Sequence, residues 1–393
     1  MSLSGHHANY LDHIAQLFLS QGHRVTVSVR EPELGHPVLA TLRERYPERC
    51  RAEPLPAVDR IDRGLSRLGV AGGELSAWRA FRRFYRRLHR QDPVDRVFYP
   101  YLDYCLHATA LLGAPSGPAP WAGICMRPSF HLRRSGVIAP VPAFAAAKER
   151  LFGRLLRTPG LLTLFTLDEL LEQHLQQTQR HLSPRLKHLP DPAELANHHT
   201  RATARAQLGI DPDRFVILVY GAIDDRKGVD HLLAGLRSRH MPRPVLVVTA
   251  GKHTAAVRAV VSDAPDVRSI DRYIDHETEE ALFRAADLVW MGYRHHFAMS
   301  GVLVLAAMAG VPVLATHLGL IGWMTRQHAL GSMIDTTDPK QVAQVLHHLI
   351  AQPTPVPTEG MQRIRQRHRW GLAEQLIQTA MHQAPSDSHV EAI

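Results

Sequence analysis

The sequence predicts an α/β protein made of two doubly wound parallel-sheet domains. Its second half alternates short apolar runs with helical segments, the pattern of a parallel sheet with helices on both faces. Its 393 residues suffice for two ordinary cores. With 45% hydrophobic and 21% charged residues, the composition is that of a globular chain.

The chain is organised around residues 286–316. Residues 287–291 form a buried strand, Ser300 and Gly301 open an apolar helix through Ala309, and Gly310-Val311-Pro312 turn into a second strand. The first N–H groups of such a helix have no intrahelical partner, and a Ser-Gly pair lets a phosphate approach them. Ser300 is equally a plain N-cap residue. Upstream, residues 215–220 (FVILVY) are a strand that runs into Gly221 and the loop to Gly228. Residues 245–249 and 267–270 are the next two strands.

In the first half, a loop around Gly5 and His6 leads into a helix to about residue 21, followed by a strand at 24–29. A sheet of this kind supplies an apolar strand before such a glycine, yet only residues 1–4 precede Gly5. The expectation is therefore that the first strand of the N-terminal domain is missing, with the native start upstream or the chain shortened.

Further strands are expected at 97–99, 121–126 and 161–165. Ligands sit beyond the carboxyl ends of strands in open α/β sheets, which makes Arg127 and His131 candidates for a sugar or phosphate.

Residues 78–90, WRAFRRFYRRLHR, carry six arginines and no acid. At roughly 100° per residue the aromatic residues fall on one face and the arginines on the other. This is a basic amphipathic helix, docked by its aromatic face or lying on an anionic membrane.

The net charge of +9 favours acidic partners. Cys50, Cys105 and Cys125 are too scattered for a disulfide framework or a zinc site. The paired histidines face apart on helices, and Asp211-Pro212-Asp213 is a turn, so no metal is expected. Nucleic acid is not an expected partner. With no membrane-spanning run and no signal peptide in residues 1–10, a cytoplasmic protein is expected, peripheral on the inner face of the membrane if residues 78–90 bind there.

Three segments carry a resemblance: FVILVYGAIDDRKGVDHLLAGL, RYIDHETEEALFRAADLVWMGY, and MSGVLVLAAMAGVPVLATHLGLIGWMTRQHALGSMIDTTDP. Together they resemble the donor-binding half of family 4 glycosyltransferases of the GT-B fold, across about residues 189–350. The resemblance implies two Rossmann-like domains facing a cleft: residues 1–182 for the acceptor and 183–365 for the nucleotide-sugar donor. The chain ends in a single helix expected over about residues 359–382, whose stretch at about 366–382 would in the resembled fold pack back on the first domain, followed by a polar tail at 383–393.

It also implies a retaining, metal-independent hexosyltransferase of polysaccharide biosynthesis. Such an enzyme moves a sugar from a nucleotide diphosphate sugar to a glycan or lipid-linked acceptor. The family's G-R-x-x-x-x-K-G segment, which holds the diphosphate, maps onto Gly221, Lys227 and Gly228. Ala222 stands at the arginine position, and Arg226 is the candidate substitute.

The family's paired glutamates fall at Leu305 and near Phe297, and both are lost, leaving His296 as a candidate at the sugar. The catalytic candidates are thus Lys227, Arg226, His296 and Arg127. Gly221, Arg272, Tyr273, Ser300 and Gly301 would hold the donor, and Gly5, His6 and His131 would face the acceptor. The alternatives are a non-catalytic binding subunit or a sugar-nucleotide epimerase on the same scaffold.

Overall fold

The computed structural model describes residues 6–383, apart from 58, 263 and 353–356. The chain divides into two compact units. One takes residues up to 131, 141–190 and from 371 onward, and the other takes 132–140 and 191–370.

The second unit is built on one parallel sheet of six strands in the order β12-β11-β10-β7-β8-β9. These are β7 (Phe215–Tyr220), β8 (Val245–Ala250), β9 (Val267–Ile270), β10 (Leu288–Met291), β11 (Val313–Thr316) and β12 (Gly331–Ile334). Helices cover both faces, so a central strand needs no polar side and is apolar throughout. In β7 the alternation splits the side chains between two cores: Val216 and Leu218 join one, Phe215, Ile217 and Val219 the other.

Chain order runs outward from β7 in both directions, so the topology reverses between β7 and β10. Connections on the two sides leave a crevice beyond the carboxyl ends of these strands. Asp287 ties the opposite end. Its Oδ2 accepts from the Arg205 guanidinium at 2.6 Å and from Val216 N at 2.8 Å.

Among the described residues, the first unit carries two separate parallel sheets. β1 (Val25–Val29) pairs with β2 (Cys50–Pro54), while β3 (Val97–Tyr99), β4 (Trp121–Cys125), β5 (Leu161–Thr166) and β6 (Leu186–His188) pair in that order. Each sheet has its own core. The expected missing strand falls at and before residues 1–5, outside the described residues. So does the expected polar tail beyond residue 383.

The basic segment lies in a long helix, Gly69–Gln91. Phe84 and Leu88 are buried, Trp78 and Phe81 pack on the four-stranded core, and the Trp78 indole donates to Gly113 O at 2.8 Å. Arg79 and Arg83 turn toward Asp59 and Asp62 at the start of the helix Arg60–Ser66, with contacts of 2.5 to 3.4 Å. Arg87 pairs with Glu53 at 3.0 Å.

The single C-terminal helix expected over 359–382 is instead two helices, Glu359–Arg367 and Trp370–His382. The break falls at buried His368, whose Nδ1 meets Asp191 O at 2.9 Å and whose carbonyl accepts from Ala193 N at 2.9 Å. All three cysteines are buried and free. Asp211 folds as a turn, accepting from Asp213 N at 2.9 Å.

Asp62 is buried and accepts from Arg79 and Arg83. Burial alone would raise its pKa, but the guanidinium hydrogen bonds from Arg83 and Arg79 outweigh this and hold the carboxyl below its ordinary range. A depressed folded pKa contributes stability that is complete above the unfolded value near 4 and is lost as pH falls through the folded value. Asp62→Asn therefore lowers stability by about 1–3 kcal/mol at neutral pH. In denaturant unfolding across a pH series, its difference from the parent narrows below pH of about 4.

Candidate functional site

The crevice between the carboxyl ends of β7 and β10 is where Lys227 lies. Its ammonium is buried, with 5% of the residue exposed. Nζ donates to Tyr220 O at 2.6 Å and to the Tyr293 hydroxyl, and it stands 4.2 Å from the centre of the Tyr293 ring. Among the described residues no carboxylate forms an ion pair with it. A buried cation supported only by neutral oxygens and a ring face has lost bulk water without gaining a counter-charge. Such a group is poised for an anion.

Lys227 is held by its backbone. The Trp290 indole donates to Lys227 O at 2.8 Å. Gly228 adopts a left-handed conformation with φ of 63°, and a Cβ there would lie 2.5 Å from Gly292 O. Only glycine allows the two loops to close this far. Arg294 completes the clamp: its N donates to Arg226 O at 2.7 Å and its Nη2 to Asp225 O at 2.6 Å.

The helix Gly301–Ala309 begins beside this lysine. A Cβ on Gly221 would lie 3.5 Å from Lys227 Nζ and 3.8 Å from a Val302 methyl, so the glycine, the ammonium and the first helical turn adjoin. Ser300 stands at the N-cap position with extended backbone but makes no side-chain capping bond. Its Oγ instead meets the Tyr293 hydroxyl at 3.1 Å. The plain capping role is thus not what the serine does, and no side chain of Ser300 covers the first-turn N–H groups.

The remaining candidates scatter. Arg226 pairs with Asp224 at 2.9 Å and lines a separate hollow of about 460 Å³ with Arg294 and His295, which neither Lys227 nor Ser300 lines. His296 lies edge-on to Tyr293, its ring centre 5.4 Å away, and its Nε2 meets Met299 O at 3.1 Å. Arg272 and Tyr273 follow β9 on the same sheet end, with Arg272 bound to Asp275 at 3.2 Å and Tyr273 exposed. Leu305 is buried in the apolar core and brings no polar group to the site. Ala222 is exposed.

In the first unit, Arg127 stacks on the Tyr101 ring at 5.3 Å, and His7 meets the same ring at 4.6 Å. Burial pushes the Tyr101 phenol up to about 12, so it stays a proton donor. His131, expected at a ligand, is instead fully enclosed. Its Nε2 meets Asp168 Oδ2 at 2.8 Å, where Asp168 caps the helix Glu169–Thr178. Gly5 lies outside the described residues, and His6 is described only as the first residue of the helix His6–Ser20.

Tyr293 escaped the sequence reading. Its only sequence signal is an aromatic residue two positions past a buried strand, at the end of the sheet where ligands bind.

Residues 214–352 match the family model described as Glycosyl transferases group 1. The chain is 30% identical over 173 residues to D-inositol 3-phosphate glycosyltransferase of Rhodococcus erythropolis, covering 39% of this chain and 37% of that one. To the enzyme of the same name from Streptomyces coelicolor it is 29% identical over 210 residues, covering 49% and 44%. The chain thus spans less than half the length of these curated relatives.

Among solved structures, sucrose-phosphate synthase from Thermosynechococcus elongatus superposes with a TM-score of 0.70 at 17% identity, covering 96% of this chain and 92% of that one. WaaG, a glycosyltransferase involved in lipopolysaccharide biosynthesis, gives 0.63 at 16% identity, covering 98% of both. HepE from Anabaena, solved with UDP and glucose, gives 0.62 at 14% identity, covering 94% and 95%.

Gly228→Ala introduces both a strained φ and a clash with Gly292. It should lower stability by about 1–3 kcal/mol, measured by denaturant unfolding with tryptophan fluorescence. A variant as stable as the parent would show that the two loops are not clamped at this glycine.

Proposed function

We propose that this chain, which has the GT-B fold and carries a group 1 glycosyltransferase domain in its second unit, transfers a sugar from a nucleotide diphosphate sugar to a glycan or lipid-linked acceptor. The observation that supports this most is the buried Lys227 ammonium beside a helix N-terminus that no Ser300 side chain caps, at the reversal point of a parallel sheet. Charge accumulates on the diphosphate as the glycosidic bond breaks. A fixed cation and oriented N–H dipoles stabilise that charge without reorganising.

In this reading Lys227 meets the departing diphosphate, and Gly221 lets it come close to the backbone. The N–H groups from Gly301 onward supply further donors. Tyr293 keeps the ammonium in place. Arg272 and Tyr273 edge the base, and Arg127 belongs to the acceptor face of the first unit. Retention of anomeric configuration and membership of family 4 follow from the sequence resemblance. The reading places this transfer in polysaccharide biosynthesis in the cytoplasm, with the acceptor at an anionic membrane surface suggested by the basic helix that holds residues 78–90.

A second reading, a binding subunit without turnover, is favoured by Leu305, which lies in the core where a ribose-holding carboxylate would be needed.

The test is thermal unfolding with UDP, GDP, ADP and dTDP, alongside hydrolysis of the matching sugar nucleotides. A ligand at roughly 100-fold its dissociation constant stabilises the folded chain by about 2.7 kcal/mol. One nucleotide should raise the midpoint, and Lys227→Ala should abolish the rise. The same variant should lower turnover by roughly 100-fold to 1,000-fold, the effect of losing one donor to a developing oxyanion. A nucleotide shift without sugar release or transfer would select the binding reading. No shift with any of the four would overturn the transfer reading and favour a subunit that binds a partner other than nucleotide.

A further inference from the structure

Three of the most exposed aliphatic side chains lie on one helical hairpin of the first unit: Ile61 at 60%, Leu68 at 73% and Val70 at 83%. The hairpin joins the helix Arg60–Ser66 to the start of the helix Gly69–Gln91. It is closely built. A Cβ on Gly72 would lie 1.9 Å from Leu65 O, and Gly69 turns the chain with φ of 76°. At its base, buried Asp62 accepts from Arg79 and Arg83. The tip carrying Leu68 and Val70 is therefore held by the fold while its side chains stand in solvent.

Of the six arginines in residues 78–90 of the long helix, three are ion-paired and Arg82 lies over the Trp78 ring. Arg79, Arg83 and Arg87 are engaged by Asp59, Asp62 and Glu53. Arg60, Arg63 and Arg67 are exposed, and among the described residues none of them forms an ion pair. Their spacing puts them along one side of the short helix. The two nearby acids are already used, so the hairpin presents uncompensated positive charge next to projecting aliphatic groups.

We propose that this hairpin tip is a membrane contact, with Leu68 and Val70 entering the acyl boundary of a bilayer and Arg60, Arg63 and Arg67 resting on anionic headgroups. Apolar insertion combined with attraction to anionic lipid is what holds a protein at an interface without spanning it. Aliphatic groups at the tip fit lipid better than nucleic acid, where flat aromatic side chains would stack on bases. The inference moves the membrane contact from the arginines of residues 78–90 to the hairpin that precedes them. It deepens the proposed acceptor setting, but it is read without any turnover, so its failure and that of glycosyl transfer are separable.

The test is co-sedimentation of the full chain with vesicles of phosphatidylcholine alone or mixed with phosphatidylglycerol. The parent should sediment with the mixed vesicles and far less with phosphatidylcholine alone. Leu68→Ser with Val70→Ser should weaken partitioning roughly tenfold or more. Replacing Arg60, Arg63 and Arg67 by Gln should weaken it roughly 100-fold. Val70→Trp should strengthen it, a gain that misfolding does not mimic through lost contacts. Arg86→Gln with Arg90→Gln should leave it within about twofold if the long helix stays off the bilayer.

Thermal midpoints should match the parent, since all these side chains are exposed. Failure to sediment with the mixed vesicles would overturn the inference. So would loss in the Arg86/Arg90 variant with the tip variants intact, or displacement from vesicles by single-stranded RNA in a tip-dependent manner.

Discussion

The site depends on one arrangement, a lysine ammonium taken out of water and given only neutral partners. Burying a cation costs free energy unless something compensates, and here the Tyr220 carbonyl, the Tyr293 hydroxyl and the Tyr293 ring do so in part. The cost is borne by the scaffold around it. The crowded glycine pair Gly228 and Gly292, the Trp290 indole on Lys227 O, and the Arg294 clamp all fix the backbone that presents this side chain. A flexible lysine would pair with the nearest carboxylate. A clamped one keeps its field directed at the crevice.

The two ends of the second unit's sheet divide the work accordingly. At the amino end, Asp287 is engaged by arginine and backbone donors. At the carboxyl end Lys227, among the described residues, has neutral partners and no carboxylate. This asymmetry is the ordinary consequence of a parallel sheet, in which every strand delivers its following loop to the same edge.

Five of the second unit's strands were legible because buried parallel strands read as unbroken apolar runs, and FVILVY and DLVWM are such runs; β12, the short edge strand Gly331–Ile334, carries no such run and was missed. Lys227 and Gly221 were singled out through the resemblance and Ser300 and Gly301 as a helix start, and the structure sets these residues beside one another. Arg226 was misread because proximity in sequence to Lys227 says nothing of direction: the turn through Asp224 sends the two side chains to different surroundings. His131 was misread for a related reason, since the carboxyl end of β4 is a place where ligands bind but also where the chain dives back into its core. Tyr293 was missed because its role lies in a contact made across 66 residues of sequence, which no local pattern encodes. The break at His368 was hidden in the same way, its partners lying at Asp191 and Ala193.

Among the described residues the first unit's strands fall into two sheets, and this bears on how the protein is made. A two-stranded sheet is marginal by itself, and β1 with β2 relies on flanking helices for cover. The helix His6–Ser20 is one of these, and its His13 meets Glu374 of the helix Trp370–His382 at 3.4 Å, across 361 residues. His23, just beyond that first helix, lies against His382 with ring centres 6.3 Å apart. During synthesis the first of these segments leaves the ribosome long before the other exists. The contacts that close this corner over the opening sheet therefore form last, once the C-terminal helix has emerged.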